Sequence, residues 1–205
     1  MFITLEGPDG SGKTTQVQPL VDFLQSRGCD VLATREPGGT AIGDQVRSIL
    51  MNLNNQSMLP RTEILLFCAS RAQLVEEVIR PKLEKGGIVL CDRFADSTLA
   101  YQGYGHGYDR EFLHRLLNFA TGGLWPDLTL YLDVDAEVGL RRRQKNGGEW
   151  NRLDAYELAF HQRVRAGYLE MARQEPGRWV VVEASRSPEQ VQARLQEVVQ
   201  SRLQL

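Results

Sequence analysis

Gly7-Pro8-Asp9-Gly10-Ser11-Gly12-Lys13-Thr14 has the spacing G-x-x-x-x-G-K-[ST] and stands between a short apolar run, Phe2 to Glu6, and a stretch of helical periodicity. Glycines at 7, 10 and 12 let successive backbone N–H groups turn inward, and a helix N-terminus adds partial positive charge, so the loop can cradle a phosphate chain. In such a loop Lys13 reaches the outer phosphates and the Thr14 hydroxyl ligates magnesium. The motif points to a nucleoside triphosphate and leaves the fate of its phosphates open. Asp9 is out of keeping with it, because a carboxylate inside a phosphate cradle repels the ligand unless it turns toward a hydrogen-bond donor. That hints at a second substrate carrying hydroxyl groups.

Four further stretches hold chemistry of the same kind. "CDRFADSTLAYQGYG" (Cys91 to Gly105) begins where an apolar run ends, so Asp92 can hold magnesium or its waters and Arg93 can offer a planar fork to phosphate oxygens. "TREPGGT" (Thr34 to Thr40) follows another apolar run, and Pro37-Gly38-Gly39 makes a tight turn that lets backbone approach a ligand. Arg35 and Arg47 are candidate ligands of a second phosphate, although a helical arginine also fits a solvated face. In "LFCASRAQ" Phe67 and Arg71 are four residues apart on one helix face, where they can stack on and hydrogen-bond a base or equally serve core packing and surface charge. "GLRRRQKNGGEWNR" gathers Arg141, Arg142, Arg143, Lys145 and Arg152 around a glycine-rich turn. Three adjacent helical arginines point in different directions, so at most two meet one ligand. A mobile basic loop of this kind can close over a phosphoryl group in flight, or simply be a solvated charge run.

The elements that must position these residues are legible as periodicity. Phe2 to Glu6, Asp30 to Thr34, Gly87 to Asp92, Leu128 to Asp133 and Trp179 to Ala184 are short, nearly continuous apolar runs separated by helical segments. That alternation predicts a parallel sheet covered on both faces, with every candidate loop at the carboxyl edge of a strand. Helices are expected from Lys13 toward Gly28, over Arg61 to Leu83 after Pro60, over Arg110 to Phe119 and over Ala155 to Arg173. A last helix, Pro188 to Leu203, starts at Ser187.

The chain has 205 residues, 42% of them hydrophobic, which predicts one domain over residues 1–205. Its 24 basic against 26 acidic side chains exclude the global positive field of a non-specific nucleic-acid binder, so any polyanion site is local. Three widely spaced cysteines among apolar residues predict reduced thiols, hence a cytoplasmic protein, and no segment reads as an export signal or a membrane span.

In their order along the chain, "EGPDGSGKTTQ", "TREPGGT", "RSIL", "LLFCASRAQ", "DRFADSTLAYQG", "PDLTLYLDV", the arginine loop and "EASRSPEQV" resemble bacterial thymidylate kinases, which are P-loop nucleoside monophosphate kinases. The resemblance covers nearly the whole chain. It implies an α/β P-loop NTPase fold of three layers, a five-stranded parallel sheet with helices on both faces, and a short arginine-rich lid near 141–152. It implies transfer of the γ-phosphoryl group of Mg-ATP to dTMP, a step toward dTTP for DNA synthesis, by a cytoplasmic homodimer that takes ATP, dTMP and Mg2+ and binds neither nucleic acid nor membrane.

By the same resemblance, ATP is held by Gly7, Pro8, Asp9, Gly10, Ser11, Gly12, Lys13, Thr14 and Thr15, with Ser185 and Arg186 bracketing adenine. Magnesium lies at Thr14 and Asp92. Asp9 meets the 3'-hydroxyl of dTMP, Phe67 stacks on thymine, Arg71 reads its O4 and Thr98 its N3 edge. Tyr101 disfavours a 2'-hydroxyl, and Pro37, often after a cis peptide, flanks the acceptor. Arg47 and Arg93 bind the acceptor phosphate, and Glu36, Ser97 and Gln102 complete that site. Lys13, Asp92 and Arg93 carry catalysis together with Arg142 and Arg143, since Pro8, Asp9, Gly10 and Ser11 put no basic residue in the phosphate loop. The lid departs from the family pattern in having fewer alternating arginines and Asn151 where an acidic residue is common.

Two other readings remain open on the residues alone. One is a kinase for another monophosphate, from which Phe67, Arg71 and Thr98 would distinguish this chain. The other is a non-catalytic P-loop switch, against which stand the missing N-K-x-D guanine motif and a superfluous second phosphate site.

Overall fold

A computed structural model describes residues 1–145, 152–154 and 156–204. The glycine-rich stretch expected to be a mobile loop falls largely on residues 146–151, outside the described residues, and so does half of the expected lid.

Five parallel strands form one sheet: β1 (Phe2–Glu6), β2 (Val31–Arg35), β3 (Ile88–Asp92), β4 (Leu128–Asp133) and β5 (Trp179–Glu183), in the order β2-β3-β1-β4-β5. The three inner strands are buried almost throughout, whereas β2 and β5 at the edges alternate buried with exposed positions. All five apolar runs are therefore strands, each within a residue of its expected bounds.

Around the sheet run α1 (Lys13–Ser26), α2 (Ala41–Met51), α3 (Pro60–Leu74), α4 (Arg80–Glu84), α5 (Ala95–Thr98), α6 (Arg110–Ala120), α7 (Ala136–Lys145), α8 (Leu158–Gln174) and α9 (Pro188–Leu203). The single helix expected over Arg61 to Leu83 is α3 and α4 joined by a π-helical turn, Val75–Ile79. A second π segment, Leu99–Gly105, continues α5. Ile3, Leu5, Leu20, Leu24, Leu130 and Leu195 pack the α1/α9 face of the sheet. Phe2, Cys68, Leu74, Phe94, Leu113, Tyr131 and Tyr168 pack the opposite face, under α3, α6 and α8.

Local chemistry explains several boundaries. Ser187 caps α9 in a box with Gln190, with Pro188 in the first turn, and Thr40 accepts the Gly43 N–H to start α2. Gly105 lets the second π segment meet α8 closely, since a Cβ there would lie 2.5 Å from the Phe160 ring. Cys29, Cys68 and Cys91 are unpaired, and among the described residues no helix is long and apolar enough to cross a membrane.

Candidate active site

The phosphate loop joins the buried end of β1 to α1, whose first residue is Lys13. Gly7, Gly10 and Gly12 all have positive φ, the backbone freedom that the loop's spacing calls for. At Gly10 no side chain fits, because a Cβ would overlap the Gly139 carbonyl, so the base of α7 rests on the loop. The Lys13 ammonium folds over the loop and donates to the Gly7 and Pro8 carbonyls at 2.9 and 3.0 Å. Burial, with Arg93 nearby, pushes it down to about 8 against the pull of Asp92, Asp9 and Glu6. Ser11 is buried beneath it, and the Thr15 hydroxyl donates to the Gly12 carbonyl.

β3 is hydrogen-bonded beside β1, so the loop after β3 opens next to the phosphate loop. The Thr14 hydroxyl donates to Asp92 Oδ2 at 2.8 Å, bringing together two of the hard oxygen donors that magnesium takes. Among the described residues no group of three or more His, Cys, Asp or Glu side chains forms a metal cage, so an ion here would complete its shell with phosphate oxygens and water.

Arg93 has φ 70°, and its NH2 donates to Asp9 Oδ1 at 2.7 Å. Asp9 Oδ2 accepts the Tyr101 hydroxyl at 2.7 Å. The donors that the Asp9 carboxylate requires are thus in the protein itself. Burial works to raise the Asp9 carboxyl, but Arg93, Lys13 and the Tyr101 hydroxyl hold it well below the usual range.

A cavity of about 350 Å³ runs from Lys13, Thr14 and Thr15 past Asp92 and Arg93 to α3. At that end Phe67 and Arg71, on the one helix face their spacing predicts, both line it. Arg71, with 1% of its side chain exposed, is held by a two-pronged contact with Glu36 at 2.6 and 2.9 Å. Its remaining nitrogen donates to Thr98 Oγ1 at 3.1 Å. Burial pushes the Glu36 carboxyl up and the guanidinium pulls against it. Phe67 and Arg71 thus give α3 one wall of the cavity, and Gln102 on that wall donates to Glu63 of the same helix behind it at 2.6 Å. Pro37 follows a cis peptide, and Arg47 donates to its carbonyl at 2.9 Å with Arg35 close by at the cavity wall.

The arginines of the expected lid divide. Arg142 donates to the Ala184 and Ser185 carbonyls at 2.7 and 3.2 Å, and Arg143 pairs with the buried Asp154 at 3.2 Å; both line the cavity. Arg141 pairs with exposed Glu137. Arg152 is buried, contacts Glu63 and donates to the Leu50 carbonyl, packing against α2 and α3 in place of the solvated charge its sequence context suggests. Ser185 and Arg186, which both bond Glu183, lie just past β5, beyond the part of the cavity wall formed by Arg142 and Arg143.

Motif reading passed over Met51, Phe94 and Leu153 on the cavity wall and the buried polar groups behind it, Glu6, Glu63 and Tyr168. Only Glu6 carried a sequence signal, as a charged residue ending an otherwise apolar strand.

Comparison with known proteins converges on one group. The family model described as "Thymidylate kinase" matches residues 5–195. A thymidylate kinase of Roseiflexus castenholzii is 53% identical over 98% of this chain and 93% of its own length. One of Thermomicrobium roseum is 54% identical over 93% and 90%. The crystal structure of thymidylate kinase from Ehrlichia chaffeensis superposes with a TM-score of 0.79 at 36% identity, covering 98% of both chains.

Proposed function

This chain belongs to the thymidylate kinase family, and on that premise we propose how its residues share the transfer of the γ-phosphoryl group of ATP to dTMP, which gives dTDP and ADP. The observation that carries the proposal is one cavity with a phosphate loop at one end and the Phe67–Arg71 wall at the other, bridged by the Arg93–Asp9 pair.

The donor triphosphate lies in the loop of Gly7, Pro8, Asp9, Gly10, Ser11 and Gly12, with Lys13, Thr14 and Thr15 at the helix start and adenine beside Ser185 and Arg186. Thr14 and Asp92 hold magnesium, which when bound neutralises charge on the donor phosphates. Thymine lies against Phe67, with Arg71 and Thr98 on its polar edge and Ser97 and Gln102 beside it. Tyr101 occupies the space a ribose 2'-hydroxyl would need, and Asp9 takes the 3'-hydroxyl in exchange for one of its protein donors. Arg93 and Arg47 hold the acceptor phosphate next to Glu36 and Pro37.

The acceptor oxygen is already anionic near neutral pH, so in-line attack needs alignment and charge stabilisation more than a general base. Lys13 and Arg93 supply that charge from fixed positions. Arg142 and Arg143 would release their carbonyl and carboxylate partners and turn to the transferring group.

The enzyme works as a cytoplasmic homodimer in this reading. Its unpaired cysteines suit a reducing compartment. Ile42 and Ile49 on α2, Leu65 on α3, and Phe112 and Phe119 on α6 are exposed apolar side chains on helices packed side by side, a surface that a second copy would cover.

Acceptor-dependent ADP release from Mg-ATP over dTMP, dUMP, dCMP, dGMP, AMP and UMP tests the assignment. A clear preference for dTMP is expected. Preference for another monophosphate would discard the base-pocket roles, and no release with any acceptor would remove the whole reading.

A further inference from the structure

Glu6 ends β1 immediately before the phosphate loop, is fully buried, and has no part in the roles assigned above. Its Oε1 accepts the Phe94 N–H at 2.7 Å, and its Oε2 accepts the Ser97 and Tyr168 hydroxyls at 2.6 and 2.8 Å. Those hydroxyls, 2.9 Å apart, are also the ones that face Arg93, whose NH1 lies 3.3 Å from Ser97 and 3.5 Å from Tyr168. Glu6 therefore stands directly behind the guanidinium, at one remove.

The backbone is held from the same place. Arg93 has a left-handed φ of 70°, a conformation a side-chain-bearing residue keeps only when its surroundings impose it. Its own N–H donates to the Leu5 carbonyl at 2.9 Å, and the next N–H, of Phe94, donates to the Glu6 carboxylate. The peptide groups on either side of the Arg93 Cα are thus tied to consecutive residues of β1.

Chemistry distinguishes a carboxylate here from an amide of the same shape. A hydroxyl has one proton and two lone pairs, and an ionised carboxylate only accepts. Glu6 thereby draws the hydroxyl protons toward itself and leaves lone pairs turned to the guanidinium. A glutamine amide would donate to those oxygens instead, turning their protons against the N–H groups of Arg93. Burial pushes the Glu6 carboxyl up to about 7, with Asp96 adding to the rise and Arg93, Ser97 and Tyr168 opposing it.

We propose that Glu6 is a positioning residue of the acceptor site, holding the Arg93 side chain and its left-handed backbone in the orientation that meets Asp9 and the acceptor phosphate. The inference rests on the reading of Arg93 as a ligand of that phosphate, and it extends the site across the sheet to Tyr168 on α8.

Steady-state kinetics with ATP and dTMP varied separately, on Glu6→Gln, Glu6→Asp, Arg93→Ala and the Glu6→Gln/Arg93→Ala pair, test it. Glu6→Gln is expected to lower kcat/KM for dTMP by about 10- to 100-fold while KM for ATP moves less than about twofold. Glu6→Asp, which keeps the accepting charge, should recover part of the loss. In the double variant Glu6→Gln should add less than about twofold to the effect of Arg93→Ala, since both act through one group.

Unchanged dTMP kinetics in Glu6→Gln, equal losses for both substrates, or a fully multiplicative double variant would overturn the inference while leaving the role of Arg93 intact. Normal dTMP use by Arg93→Ala would remove that role itself and the inference with it. If Glu6→Gln does not fold, Tyr168→Phe decides, because it keeps the ring stacked on Tyr131 and deletes only the hydroxyl. A loss confined to dTMP supports the proposal, and wild-type kinetics overturn it.

Discussion

Arg93 and Asp9 meet at 2.7 Å across the gap between the loop after β3 and the phosphate loop, so the two loops share one charged contact. Arg93→Ala should lower kcat/KM for dTMP by about 10²–10³, the cost typical of deleting a preorganised donor to developing charge. Folding should persist, because Asp9 keeps the Tyr101 hydroxyl. ADP release with dTMP, together with a melting curve, checks both halves; near-normal turnover would count against the acceptor-site assignment.

Arg71 and Glu36 form a buried pair. Arg71→Ala should cost about 3–5 kcal/mol of stability, because Glu36 is left buried and uncompensated. Adding Glu36→Gln should restore part of that stability without restoring dTMP recognition. Urea denaturation and dTMP kinetics on the single and double variants separate the effects. Recovery of both together would show that Arg71 acts through stability alone.

The Thr14–Asp92 contact predicts a defined response to metal. Chelation with EDTA should abolish turnover and added magnesium should restore it. Thr14→Val and Asp92→Asn should each raise the magnesium needed for half-maximal rate, by about tenfold if one oxygen contact is worth about 1.4 kcal/mol. A magnesium titration at saturating ATP reads this directly, and unaltered titrations would place the ion elsewhere.

Glu6 also makes a prediction about pH. Asp96 and Arg93 from the segment after β3, Cys91 from β3, Tyr168 from α8, Lys13 from α1 and Arg71 from α3 are charged and titratable groups that act on it or feel it. Its carboxyl rises from 4.5 to about 7 on folding, so the folded state holds its proton more tightly than the unfolded state. Stability from this group is then fullest below about pH 4.5, falls as pH rises toward 7, and levels off above that, by about 3 kcal/mol in all. Relative to wild type, Glu6→Gln should gain stability between pH 5 and pH 8. Urea denaturation at the two pH values checks the sign, and a constant difference would deny the shift.

What could be read from the sequence divides along physical lines. The phosphate loop, Asp92-Arg93 and the Pro37 turn were legible because each is local: a few consecutive residues with special backbone or charge at the end of an apolar strand. Phe67 and Arg71 were legible as a pair on one helix face, but their partners were not, since Glu36 lies 35 residues from Arg71 and Thr98 lies 27. The π-helical turn Val75–Ile79 was folded into one ordinary helix because its sequence carries nothing to mark it, and the second π segment escaped because Gly103 and Gly105 argue against any helix. Arg152 was grouped with the basic loop by proximity in sequence, whereas Glu63 draws it into the protein from 89 residues away. The buried polar groups behind the cavity belong to the same class: their roles arise from contacts that only the folded chain creates.

The order β2-β3-β1-β4-β5 makes neighbours of the two strands that end in the phosphate loop and in Asp92-Arg93. Adjacent strands are about 4.8 Å apart, a spacing fixed by backbone hydrogen bonds and indifferent to side chains. The sheet thus acts as a ruler between the two loops, while Phe67 and Arg71, the residues proposed to meet the base, stand on a helix outside it. On the proposed roles, a substitution on that helix would change which base is accepted and leave the distance between the two loops untouched.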